Sequence, residues 1–164
     1  MDILESRDPL GGVNPKTPRG FEIIRRMTGA IAEPLYGGAG ECWAALAEDL
    51  LTACMAYVVM MYEHTKDLAR PKPCSIKYLE SRLFELNRSK SAGFTPADIL
   101  AEMSRMSFGA AQLTSSERRL ADFITHTANK FILMDENERR WVITTALTAF
   151  LYRPNLNYIY ASGA

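Results

Sequence analysis

From Glu41 to Leu68 the chain runs ECWAALAEDLLTACMAYVVMMYEHTKDL without a proline or glycine. Trp43, Leu46, Leu50, Cys54, Tyr57 and Met61 recur at steps of three and four residues, which puts them on one face of a helix. From Leu51 to Tyr62 the apolar character spreads to nearly every face. A helix that is apolar all round is buried in protein or in lipid. This run falls short of the roughly 20 apolar residues that a bilayer crossing needs. The pattern therefore predicts a long central helix, about 41–68, around which the rest of the chain must pack.

Shorter helical patterns flank it. Pro9, Gly11, Gly12 and Pro15 break any helix before Thr17, so residues 1–17 are expected to form an extended lead-in. Thr17-Pro18 is a helix start, with Phe21, Ile24, Met27 and Ile31 as the apolar stripe and Pro34 as the stop. Gly37-Gly38-Ala39-Gly40 is read as a flexible link. These glycines precede a helix N-terminus, which can bind anions, but Glu41 places a negative charge there and no Lys follows. Pro71 and Pro73 stop the central helix. Ile76, Leu79, Leu83 and Leu86 mark a third helix starting near Ser75, and Thr95-Pro96-Ala97-Asp98 starts a fourth with Ile99, Leu100, Met103 and Met106 inward. Thr114 and Glu117 have capping-box spacing for a fifth helix, and Asp135 and Glu138 repeat it for a sixth that Pro154 closes. No stretch alternates with the two-residue period of a strand. The reading is all-α: a single compact bundle of about six or seven helices over residues 18–154, with residues 155–164 as an extended C-terminal edge.

At 164 residues, 48% hydrophobic and 23% charged, the chain has the length and composition of one globular domain. Its 19 basic and 19 acidic residues cancel, so no whole-domain field favours nucleic acid. No charged start followed by an apolar segment marks it for export. Cys42, Cys54 and Cys74 are odd in number and read as reduced thiols in a cytoplasmic setting.

Enzyme motifs are absent from the sequence. There is no GxxxxGK[ST] loop. His64 and His126 have Asp67 and Asp122 at helical spacing, but neither has the Glu three residues earlier that a di-metal carboxylate bundle uses. Both are read as exposed or helix-end histidines, and Cys54 as a buried inert thiol. No catalytic residue, metal site or cofactor is therefore expected in these residues. The charged features that stand out are Arg25-Arg26, Arg118-Arg119 and Arg139-Arg140. Adjacent helical residues point about 100° apart, so one Arg of each pair can flank the core while the other faces solvent. Converging on one surface they would recognise phosphate or an acidic protein. With Glu22, Glu117, Asp122, Glu136 and Glu138 close by, solvated helix faces are the simpler reading.

Two stretches are more specific than their periodicity. Trp43-Ala44-Ala45-Leu46-Ala47-Glu48-Asp49-Leu50-Leu51-Thr52-Ala53 resembles the tryptophan, alanine, double-leucine signature in the all-α domain of type IV secretion coupling proteins, the TraG/TraD-like conjugative ATPases. Glu138 to Leu151, with its Thr144-Thr145-Ala146-Leu147 centre, Phe150 and the following Pro154, is similar to a later helix of that domain. Asn14-Pro15 resembles the Asn-Pro that precedes it. Cys42 stands where many members carry an aromatic residue, and residues 75–133 have no counterpart that can be named.

The resemblance implies a non-catalytic substrate-recognition domain inserted in a RecA-like motor. Its partners would be a relaxase, relaxosome accessory proteins or effector proteins, with possible DNA contact. ATP and magnesium would belong to the parent motor, which is anchored in the bacterial inner membrane with this domain in the cytoplasm. The isolated domain is expected to be a monomer and the parent a hexamer. An inserted domain also implies termini on one side of the bundle. Two other readings stand beside it: a free-standing helical adaptor or secretion chaperone docking through Tyr158-Ile159-Tyr160, and a metal-dependent bundle enzyme.

Overall fold

In the computed structural model, which describes residues 8–38, 41–89, 98–108 and 112–159, the regular structure is helical throughout. The elements are α1 (Pro18–Ala32), α2 (Glu41–Glu63), α3 (Ile76–Ser89), α4 (Ile99–Ser104), α5 (Ser115–Leu133) and α6 (Glu136–Leu151). Single 3-10 turns form at Pro9–Gly12 and Glu33–Leu35.

Helix α2 lies at the centre, packed by α1, α5 and α6 along its length and by α3 more lightly. Every residue from Leu50 to Met60 is buried, so its all-round apolarity is matched by neighbours on every side. At 23 residues, α2 is long enough and has a window apolar enough to cross a membrane by length and composition, yet 72% of that window is buried inside the protein. Ala44, Ala47, Ala53 and Ala56 are fully buried, and such small side chains let flanking helices come close. At the α1–α2 crossing two buried hydroxyls, Thr28 and Thr52, meet at 2.8 Å. Each also donates or shares a bond with its own helix, at Ile24 O and Glu48 O, so neither is left unpaired in the core.

Several boundaries differ from the sequence reading. The central helix ends at Glu63, not Leu68. The Thr65 hydroxyl donates to Met61 O at 2.6 Å and accepts the Lys72 N–H at 2.8 Å, which folds residues 64–72 back as turns. The lead-in is not wholly extended. Asp8 caps the Pro9–Gly12 turn through the Leu10 N–H, and Leu10 is fully buried. Thr17 is the N-cap of α1, but its hydroxyl points back to Asn14 O and does not bond the helix. The expected start at Thr95-Pro96-Ala97 lies outside the described residues, and Asp98 is the N-cap of a short α4. The Thr114–Glu117 capping box forms in full. At α6 only half of the expected box forms, with Asp135 accepting from the Asn137 and Glu138 N–H groups. Residues 155–159 turn back onto the bundle and bury Leu156 and Ile159.

Candidate interaction surface

The three arginine pairs do not all converge: those of α1 and α5 flank one groove, which Arg119, Phe21 and Glu22 line together, and that of α6 lies apart. Arg25 on α1 bonds Asp49 on α2 at 3.2 Å, and its guanidinium lies 4.8 Å from the Phe123 ring centre on α5 and 5.3 Å from that of Phe21. It therefore brackets three helices. Arg26 is exposed and pairs with Glu22 one turn back. Arg139 donates to Ile132 O at 3.0 Å and Met134 O at 3.4 Å, closing carbonyls that the end of α5 leaves open. Arg118, Arg119 and Arg140 are exposed, and among the described residues their side chains have no hydrogen bond or ion pair. Arg118 and Arg119 sit in the first turn of α5, whereas Arg139 grips its last. At 1.5 Å per residue these sites are roughly 20 Å or more apart along the helix.

Among the described residues, shallow grooves lie beside Arg119 and Arg140. Pro18, Phe21, Glu22, Ser116 and Arg119 line one of about 260 Å³ where α1 meets α5. The Phe21 and Phe123 rings, 5.5 Å apart, and the stacked Arg25 place aromatic and cationic surface beside it. Asn137, Arg140, Trp141 and Thr144 line the other, of about 400 Å³, on the outer face of α6. An acidic or phosphorylated segment meets in each groove one uncommitted guanidinium next to an aromatic ring, which suits charge-assisted bonding.

Two polar clusters escaped the sequence reading. His64, just past α2, lies with Nε2 2.6 Å from Oε2 of Glu117, a carboxylate with almost no solvent exposure. The other oxygen of Glu117 accepts the Thr114 N–H. Burial alone would raise the Glu117 pKa, but the bonds from Thr114 and His64 outweigh it and hold the group below the ordinary carboxylate value. Lys16 reaches Glu63 at 3.4 Å beside this junction. Spacing within α2 pointed His64 at Asp67, and only the tertiary fold brings Glu117 to it. The second cluster joins α2, α3 and α4. Arg82 bonds Glu102 at 3.1 Å and the Tyr78 hydroxyl at 2.9 Å, while Tyr57 donates to Glu102 at 2.9 Å. Its signal in the sequence was an arginine lying within the Leu79, Leu83, Leu86 stripe.

The thiols are protonated and poorly reactive where buried. Burial pushes both Cys54 and Cys74 up to about 12. Among the described residues no three His, Cys, Asp or Glu side chains lie close enough together to hold a metal ion. His126 is exposed on α5. In the tail considered for docking, Tyr158 is exposed but Ile159 is buried, and Tyr160 lies outside the described residues. No protein-family model, no curated protein and no solved structure matches the chain.

Proposed function

We propose that this chain is the substrate-recognition, all-α domain of a type IV secretion coupling protein. It binds relaxase, relaxosome accessory or effector proteins, with possible DNA contact, and hands them to a hexameric ATPase motor that carries the ATP and magnesium chemistry. The observation that carries this reading is the packing of α2 against α6. The two stretches that carry the resemblance are far apart in sequence, yet they form one packed unit. Leu50, Leu51 and Ala53 are buried on one side, and Val142, Ile143, Ala146, Leu147 and Phe150 on the other.

In this role the α1–α5 groove is the docking surface, with Arg119 meeting an acidic side chain and Phe21 an apolar one. Zero net charge favours protein over naked DNA as the ligand. Titration of the domain with purified relaxase or effector is expected to give saturable binding that Arg119→Glu weakens about tenfold, a 1.4 kcal/mol change. Absence of binding by the domain, where the full coupling protein binds the same substrate, removes the assignment.

A further inference from the structure

Helices α1 and α5 lie side by side and run in the same direction. Pro18 and Ser116 line the groove at their first turns, and two turns on, Arg25 of α1 lies 4.8 Å from the centre of the Phe123 ring of α5. The charges around the groove are mostly spoken for. Arg25 is paired with Asp49 and Arg26 with Glu22. Arg119 is exposed and has no ion pair among the described residues. These five side chains therefore leave one positive charge in excess, beside about 260 Å³ of open space lined by Pro18 and Phe21.

We infer that the groove is selective: it takes a protein segment offering one carboxylate beside a large apolar side chain, and it turns away the phosphate backbone of a nucleic acid. Glu22 makes the distinction. Which protein carries the segment rests on the coupling-protein reading. One carboxylate matches the one open guanidinium and forms a charge-assisted bond with it, while the apolar neighbour packs on Phe21 and Pro18.

Glu22 follows Phe21 in the chain and lines the groove from α1, across from Arg119 on α5. Its side chain is 54% exposed, so its charge acts on whatever enters. A nucleic-acid strand carries one charge per nucleotide, about 3.4 Å apart along a duplex axis. A phosphate that meets Arg119 therefore brings a neighbouring phosphate towards Glu22. Such a like-charge contact suppresses the wrong partner. A polypeptide spaces its charges freely and can set a neutral or basic residue at that point. The rings do not favour a nucleic acid either. Phe21 and Phe123 are half-buried, pack against each other at 5.5 Å and both carry the Arg25 guanidinium. These contacts occupy the ring surface on which a base would stack.

Two probes test the selection without a secretion substrate, so its failure is distinct from failure of the coupling-protein reading, which the relaxase or effector titration decides. The first is a capped, alanine-rich helical peptide with one Leu and one Glu four residues apart, followed by amide NMR shifts of the domain. Shifts are expected at Phe21, Ser116 and Arg119, and binding at least tenfold weaker when the peptide carries Gln for Glu or the domain carries Arg119→Gln. The second is a 20-nucleotide oligothymidylate, followed by fluorescence anisotropy at about 0.1 M salt. Glu22→Lys is expected to bind it at least tenfold more tightly than the parent domain. Glu41→Lys, an equal charge change outside the groove, is expected to match the parent. All three positions are exposed, so unchanged circular dichroism melts show that the fold is kept. A domain that responds to neither peptide, or to both equally, overturns the inference. So does an oligonucleotide that binds the parent as tightly as it binds Glu22→Lys, or one that gains equally from Glu41→Lys.

Discussion

At the scale of single residues, the tightest constraint is Gly20. A Cβ built there would lie 2.0 Å from Asn14 O and 2.8 Å from its carbonyl carbon. The contact is to backbone, so no rotamer change relieves it. Gly20→Ala must push the lead-in off α1, and a loss of about 1–3 kcal/mol is expected, read as a lower urea midpoint. The sequence offered only a glycine in the first turn of a helix and no sign of what approached it. Arg25 and Arg139 teach a similar lesson. As members of arginine pairs they looked like candidates for a partner's phosphate or carboxylate. In the fold Arg25 is committed to Asp49 and two phenylalanine rings, and Arg139 to the carbonyls of α5. Their neighbours Arg26 and Arg140 face solvent, as a 100° step between adjacent positions requires.

At the scale of elements, α5 shows how a local signal takes on a tertiary role. Thr114 and Glu117 were legible as a capping box, and the box forms. The same Glu117 also receives His64 from the end of α2, so one carboxylate starts one helix and anchors another. Its pKa is held below the ordinary carboxylate value. The stability it contributes is therefore fully present above about pH 4.5 and is lost as pH falls through the lower folded value. Glu117→Gln keeps the capping geometry but cannot ionise. The variant is expected to be less stable than the parent at neutral pH and to converge with it in acid, as urea midpoints measured across the acid range would show. Equal differences at every pH would mean that the charge contributes nothing. Helix α6 is the opposite case. Its periodicity showed a core side, but exposed Trp141, Leu151 and Tyr152 blur the amphipathic pattern, and only the packed structure separates the two faces.

For the whole molecule, the Asp8 side chain ties the first described segment to the middle of the chain. Asp8 accepts the Leu10 N–H with one oxygen and the Ile76 N–H with the other, serving as a cap for both the first turn and α3. Leu10 is buried beneath it, and the Cys74 thiol donates to Leu10 O. Asp8→Ala is expected to cost about 1–2 kcal/mol, a typical loss for an N-cap. Amide hydrogen exchange should quicken together at Leu10 and Ile76. Faster exchange at Leu10 alone would show that the two ends of this link are not coupled.

Local physics determined the all-helical class, the central place of α2 and the starts of α1, α5 and α6. Those features rest on three- and four-residue spacing, on proline and on capping side chains, which act over a turn or two. Only the tertiary structure decided that α2 ends at Glu63, that the arginine pairs part between two grooves, and that His64 meets Glu117 while Arg82 meets Glu102 and Tyr78. Most of these outcomes depend on side chains distant in sequence coming into contact. Spacing along a helix gives the direction in which a side chain leaves it, but the packing of the other helices determines what that side chain meets.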